Sequence, residues 1–127
     1  MKSSQKFFVC AHCANMAVLV IKSGVPLVCC GEKMTELTPN TVEASVEKHL
    51  PALSFSGDVL TVQVGSTFHP MEEAHHITFL YVETEHGGQR KRLDIGAEPK
   101  AKFSFQDDGP VAVYAYCNLH GLWKTEI

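Results

Sequence analysis

Four of the five cysteines lie near the N-terminus, and their spacing constrains the fold more than any other feature of the chain. Cys10 and Cys13 are separated by two residues, and after fifteen more residues Cys29 and Cys30 are adjacent. A segment this short cannot bury a sizeable core, so a metal held by four thiolates is the natural source of its folding energy. Zinc and iron both accept four thiolates in a tetrahedron, so the spacing predicts a metal site but leaves a structural zinc ribbon open.

The segment between the cysteine pairs is expected to form short strands, at Val18 to Ile21 and at Leu27-Val28. Because Cys29 and Cys30 are neighbours, they cannot both adopt the relaxed loop geometry of a C-x2-C pair. A distorted tetrahedron is therefore expected. His12, which lies inside the first pair, is interpreted as a surface residue.

A thiol and an imidazole lie three residues apart near the C-terminus, at Cys117 and His120, directly after the apolar run Val111 to Tyr116. If the chain leaves the predicted strand through a tight turn, both side chains can point at one metal ion. The residues that could complete such a site are histidines in the middle of the chain: His49, His69, His75, His76 and His86. His86 precedes two glycines and is interpreted as a solvated turn residue. The remaining pattern predicts a second metal site, with a structural zinc as the alternative.

The stretch from Thr35 to Asn40 is polar and rich in turn-forming residues, and we interpret it as a linker. We place the domain boundary there, with a metal domain at residues 1–38 and a second domain at residues 39–127. In the second domain apolar residues alternate over residues 60–64, and apolar segments cover residues 77–82, 101–105 and 111–117. Since these segments are short and separated by turn residues, they predict an all-β fold, a seven-stranded immunoglobulin-like sandwich without its disulfide.

The charge and composition of the 127-residue chain exclude several classes of function. The net charge is -3 and the pI is near 6.1, and no basic stripe interleaved with aromatic residues indicates a nucleic-acid partner. No apolar run approaches the length of a membrane span, and no apolar segment follows Met1 to Lys6 as it would in a signal peptide. We therefore expect a cytoplasmic protein whose cysteines serve metal or redox chemistry.

The chain resembles desulfoferrodoxin, the two-iron class of superoxide reductase, over almost its whole length. Cys10-x2-Cys13 and Cys29-Cys30-Gly31 resemble the desulforedoxin-type centre of that family. Three further motifs resemble its catalytic centre: Glu47-Lys48-His49-Leu50-Pro51, His69-Pro70-Met71-Glu72-Glu73-x-His75 and Cys117-Asn118-Leu119-His120-Gly121-x-Trp123-Lys124. Four motifs in the order found in the family are a highly specific signal.

This resemblance implies two irons per chain. One is held by the four N-terminal thiolates, and the other by a plane of four imidazoles with an axial thiolate, from His49, His69, His75, His120 and Cys117. At the one position that these ligands leave open, superoxide would be reduced by one electron to hydrogen peroxide. The resemblance also implies a homodimer and re-reduction by a small electron donor such as rubredoxin.

Glu47 and Lys48 are the expected catalytic residues because they lie directly beside His49. Lys48 would give the open position a positive potential that attracts superoxide, and the Glu47 carboxylate can occupy that position on oxidised iron. A function of another class stays open, an electron carrier or metal-storage module whose second site holds zinc or a sixth ligand. Such a module needs no cation and carboxylate beside a ligand, so the Glu47-Lys48 pair favours the enzyme.

Two residues depart from the family's pattern. His76 follows His75 where an aromatic residue is common, but strand neighbours point to opposite faces, so only one should reach the iron, and we expect His75. Ala14 stands where a glycine usually follows the second cysteine. An alanine is expected to strain that turn if the position needs a positive φ.

Overall fold

The computed structural model describes residues 2–42, 44 and 46–127. Over these residues the chain forms short and medium-length strands and one four-residue helix, arranged in two compact units. The first unit is Ser4–Thr38, and the second is Pro39–Ile127 together with Lys2 and Ser3. Within the described part of the chain, no helix has the length and apolar character that crossing a membrane requires.

The first unit contains five short strands. A three-stranded antiparallel sheet has the order β2-β1-β5, and β3 and β4 form a separate hairpin. The bounds are β1 Phe7–Val9, β2 Met16–Ala17, β3 Val28–Cys29, β4 Glu32–Lys33 and β5 Thr35–Leu37.

Two sequence-based expectations for this unit are wrong. The strand expected at Val18 to Ile21 lies earlier, in β2, and the side chains of Val20 and Ile21 are largely exposed. These two apolar residues therefore do not mark buried strand positions. The segment Thr35 to Leu37, which we interpret from the sequence as part of a linker, forms strand β5, because its backbone pairs antiparallel with β1.

The second unit is built from one helix and seven strands among the described residues. One antiparallel sheet has the order β10-β7-β6 and the other has the order β12-β11-β8-β9, so the predicted all-β class with seven strands in the second domain is confirmed. The bounds are α1 Val46–His49, β6 Pro51–Ser56, β7 Val59–Val64, β8 Ile77–Thr84, β9 Gly87–Arg92, β10 Lys100–Ser104, β11 Pro110–Cys117 and β12 Gly121–Glu126.

The hydrophobic core of this unit lies between the two sheets. On β7 the alternate residues Leu60, Val62 and Val64 are fully buried, whereas the intervening side chains are partly exposed. Strand β11 is different, because it lies between β8 and β12, and most of its side chains are buried. Its nearly continuous apolar sequence reflects this central position.

The register of the strands brings three connections to one end of the sandwich. Cys117, the last residue of β11, pairs with Ile77 at the start of β8 and with Gly121 at the start of β12. The turn 118–120 and the end of the loop 65–76 therefore lie side by side. The other end of that loop joins α1, since Gly65 donates a backbone hydrogen bond of 3.0 Å to the carbonyl of Leu50.

Candidate metal centres

Five potential ligand atoms lie together at this end of the sandwich, all within 4.8 Å of one another. We call this cluster centre II. Helix α1 provides one of its residues, the loop between β7 and β8 provides two, and the end of β11 with the following turn provides two. These residues are His49, His69, His75, Cys117 and His120.

Asn118 connects the two chain segments that carry His75 and Cys117. Its side-chain Oδ1 accepts a 2.8 Å hydrogen bond from the backbone N–H of His76, and its Nδ2 donates to the carbonyl of Ala74 at 3.0 Å. The His76 ring does not join the cluster, because its Nδ1 lies 2.9 Å from the carbonyl oxygen of Glu72. The structure thus brings His75, and not His76, to centre II.

The four imidazole rings of centre II form a square. Taken in the order His49, His69, His75, His120, neighbouring ring centroids are 4.6, 4.6, 5.0 and 4.9 Å apart, with interplanar angles between 76° and 89°. The rings of His49 and His75 face each other across the square at 6.3 Å and 31°. Such an arrangement directs one nitrogen of each ring toward a common point.

The distances and the burial of these side chains fit a metal ion. His49 Nε2 lies 3.1 Å from both His69 Nε2 and His120 Nδ1, and Cys117 Sγ lies 3.4 Å from His69 Nε2. Nitrogens bound at right angles about 2.1 Å from one metal would be about 3.0 Å apart. His75 Nε2 is buried, and no described residue hydrogen-bonds to it. A buried polar atom without a partner is costly, and metal ligation would satisfy it.

Burial also sets the protonation of the ligands. It lowers the pKa of His69 to about 4 and lowers the pKa of His75, so both rings are neutral near pH 7. His69 Nδ1 donates to the carbonyl of Pro70 at 2.7 Å, which leaves the lone pair on Nε2, the atom that faces the centre. Burial raises the pKa of the Cys117 thiol, so a metal must displace its proton on binding.

The four N-terminal sulfurs form a second cluster, which we call centre I, and they too lie within 4.8 Å of one another. Cys29 pairs with Glu32 across the β3–β4 hairpin, which leaves Cys30 and Gly31 as a two-residue turn. Both turn residues have positive φ, 52° and 75°, as in a type I′ hairpin. This left-handed turn explains how adjacent cysteines serve one site, since it keeps Cys30 Sγ within 4.0 Å of Cys29 Sγ.

The Cys10–Cys13 turn is held by backbone groups. The amides of His12 and Cys13 donate to Cys10 Sγ at 3.4 and 3.5 Å. These hydrogen bonds, that of Cys13 first, lower the pKa of Cys10 to about 6. Ala14 follows with a φ of 65°, so the position does need the left-handed conformation, and an alanine is strained there.

The other thiols show why centre I needs a cation. The neighbouring sulfurs, first Cys13 and then Cys10, raise the pKa of Cys30 to about 12, and they also raise that of Cys29. Four thiolates this close repel one another unless a positive ion lies between them. The side chain of Asn15 adds one further contact, a hydrogen bond of 3.7 Å from its Nδ2 to Cys29 Sγ.

Known proteins resemble this sequence over most of its length. The family model for desulfoferrodoxin matches residues 41–126, which is more than half of the chain. The desulfoferrodoxin of Syntrophotalea carbinolica is 39% identical over 126 residues, 99% of each chain. The chain belongs to the desulfoferrodoxin family. Its resemblance to that family, expected from the motifs, is confirmed.

Superoxide reductases share the fold of this desulfoferrodoxin-family chain. The crystal structure of the superoxide reductase from Treponema pallidum matches with a TM-score of 0.81 and 30% identity, over 98% of this chain and 100% of that one. The superoxide reductase of Pyrococcus horikoshii is 36% identical over 100 residues, covering 64% of this chain and 86% of that protein. Centres I and II fit the two iron centres of desulfoferrodoxin, as predicted.

Glu47 and Lys48 lie on α1, directly before the ligand His49, and both are exposed. The backbone around them is held by the turn that follows β7. The carbonyl of Glu47 accepts hydrogen bonds from Ser66 Oγ at 3.2 Å and from the amide of Thr67 at 3.3 Å. This single turn of helix therefore has a fixed connection to the sheet.

The motifs of this desulfoferrodoxin-family chain do not predict which residues support the ligands. Asn118 and Trp123 lie within the Cys117 motif, so the motif identifies them, but their contacts depend on how the strands pair. Gly65 approaches the backbone of Glu47 and Lys48 from outside every motif. For Gly65 the only signal in the sequence is a glycine at the end of a strand.

Proposed function

We propose that this protein is a superoxide reductase that converts superoxide to hydrogen peroxide at centre II. The observation that carries the proposal is the square of four imidazoles with Cys117 beside it, five donors of the kind that bind iron. Iron held by these five side chains would supply the electron and would bind a small anion. Superoxide takes up one electron and two protons to give hydrogen peroxide, and no dioxygen forms.

In this proposal Lys48 captures the substrate. The chain has a net charge of -3, so an anionic substrate needs a local positive potential to be drawn in. The Lys48 ammonium is exposed one residue from His49, and it can also orient a water that delivers a proton. Glu47 lies on the same helical turn, and its carboxylate would compete with small anions for the iron. The Cys117 thiolate would donate electron density to the iron, which favours electron transfer.

The oxidised centre requires an external electron. We propose that a small electron-donor protein such as rubredoxin supplies it, and that the protein works in the cytoplasm as a homodimer. Residues 1–38 would then form an accessory iron domain and residues 39–127 the catalytic domain.

Matched cysteine variants test the assignment of the reaction to centre II. Cys117→Ser should remove the thiolate-to-iron absorption of that centre and its reaction with superoxide. Cys13→Ser should abolish the spectrum of centre I and leave superoxide reduction largely intact. If Cys117→Ser still reduced superoxide at the parent rate, the assignment of the reaction to centre II would be wrong. If Cys13→Ser lost activity with centre II still loaded, the tetrathiolate would lie on an obligatory electron path.

The role of Lys48 is tested with pulse-generated superoxide. Lys48→Ala should slow the bimolecular reaction by roughly 10-fold or more and flatten its dependence on ionic strength, because a steering charge is lost. Lys48→Arg should keep much of the rate. Lys102→Ala is the control, since it removes the same charge from an exposed position of β10, and it should change the rate by less than about twofold. A Lys48→Ala protein as fast as the parent, with an unchanged salt slope and full iron loading, would exclude this role.

A further inference from the structure

Trp123 contacts two ligands of centre II with one side chain. Its indole stacks on the ring of His49, with centroids 4.9 Å apart and an interplanar angle of 29°. Its Nε1–H donates a hydrogen bond of 3.1 Å to the backbone carbonyl of His120. The two ligands are 71 residues apart in sequence, and their facing nitrogens are 3.1 Å apart.

Neither ligand is placed firmly by its own secondary structure. His49 ends a helix of four residues, which is far too short to be stable by itself. His120 lies in the three-residue turn between Cys117 and Gly121, and Gly121 has a left-handed φ of 78°. The turn after β7 holds the backbone of α1, but a short helix and a tight turn do not by themselves fix the rotation of their imidazole rings.

Trp123 itself is placed firmly. Its side chain is 2% exposed, and its Cα pairs with that of Ala115, a fully buried residue of the central strand β11. The backbone of Trp123 is therefore fixed by the sheet, and its indole is buried. An aromatic ring stacked on an imidazole restricts rotation of that imidazole, and a hydrogen bond to a turn carbonyl restricts the turn.

We propose that Trp123 is a positioning residue of centre II, which holds the His49 ring and the His120 turn in the orientation that binds iron. Groups that orient metal ligands in this way typically contribute roughly 10- to 100-fold to metal affinity. The inference concerns the assembly of centre II, so it rests on that centre binding iron and does not depend on whether superoxide is the substrate.

The test uses full-length protein loaded with iron and measures release of iron from centre II to a ferrous chelator, followed by the Cys117-to-iron absorption. Trp123→Phe keeps an aromatic face for His49 but has no N–H, so iron affinity should fall roughly 3- to 10-fold. Trp123→Leu removes both contacts, and affinity should fall roughly 10- to 100-fold. In both variants the absorption of centre I should be unchanged.

Phe103→Leu is the control for a general loss of stability, because Phe103 is fully buried in the hydrophobic core of the second unit and is not a ligand. It removes an aromatic ring of similar burial, and it should change the iron affinity of centre II by less than about twofold. A Trp123→Leu variant that holds iron as tightly as the parent would overturn the proposal. So would an equal loss of affinity in Trp123→Leu and Phe103→Leu, since the role would then be only structural.

Discussion

Gly65→Ala should damage both the stability of the second unit and the geometry of centre II. Gly65 has a φ of 81°, and a Cβ built there would lie 2.3 Å from the carbonyl oxygen of Thr67, 2.7 Å from that of Glu47 and 2.8 Å from Lys48 Cα. All three atoms belong to the backbone, so no flexible side chain can move aside. The backbone of α1 or of the following turn must shift.

The size of the effect follows from two contributions. A left-handed φ costs alanine about 1–2 kcal/mol, of which about 0.4–1 kcal/mol is offset by the lower entropy of the unfolded chain. Crowding of a closely packed site adds about 1–3 kcal/mol. The free energy of unfolding should therefore fall by about 2–4 kcal/mol. The fluorescence of Trp123, the one tryptophan of the chain, reports unfolding of this unit in a denaturant titration.

Gly57→Ala is the matched control for this prediction. Gly57 lies at the opposite end of β7 with a φ of 62°, but no atom lies within 4 Å of its built Cβ. This variant carries only the conformational contribution, so it should lose about 1 kcal/mol or less and keep its iron. Equal losses in the two variants would refute the argument that Gly65 is required by the close approach to α1. A Gly65→Ala protein with parental iron affinity would show that α1 tolerates the shift.

Three further predictions concern other parts of the chain. Ala14→Gly should raise the temperature at which centre I loses its thiolate absorption, because glycine relieves about 1 kcal/mol of strain at a φ of 65°. Asn15→Ala should lower the reduction potential of centre I in a spectroelectrochemical titration, since the amide that stabilises the more electron-rich state at Cys29 Sγ is lost, whereas Asn40→Ala should not. Burial, followed by its hydrogen bond to Glu83, raises the pKa of Tyr114 well above its usual value near 10, so stability that is fully present below about pH 10 should be lost as the pH rises above it. Tyr114→Phe should make that alkaline decline in the free energy of unfolding shallower, and an unchanged slope would contradict it.

The sequence predicts the parts of this protein in which residue type is tied to chemistry. Metal ligands must be thiols or imidazoles, so their spacing alone limits the choices, and alternation on β7 marks the core directly. The apolar pattern does not predict strand β9, because Gly87–Arg92 has no apolar side chains. This strand is the edge of its sheet and pairs only with β8. Helix α1 is a single turn, too short for a helical period, and it forms through its contacts with the loop after β7.

Supporting contacts are harder to predict because they depend on the register between segments far apart in sequence. Trp123 reaches His49 only because β12 pairs with β11 so that Trp123 lies opposite Ala115. A shift of one residue would turn the indole to the other face of the sheet. The Cys117 motif includes Trp123 and Asn118, but it does not predict their contacts. Trp123 stacks on the His49 ring, and Asn118 hydrogen-bonds to the loop before β8.

The two centres differ in what places their ligands. In centre II the ligands His49, His69 and Cys117 are buried, and they extend from a sandwich with a core of its own, so the site is assembled by the packing of the chain. In centre I only Cys10 is buried, Cys13 and Cys30 are exposed, and the sulfurs raise the pKa of Cys30. Packing cannot hold that arrangement together, so the metal must supply the folding energy of Ser4–Thr38. In centre II the buried His75 Nε2 has no hydrogen-bond partner among the described residues. A fixed ligand geometry of this kind suits a reaction that leaves the ligands in place. Trp123, Gly65 and Asn118 are the residues that keep it fixed.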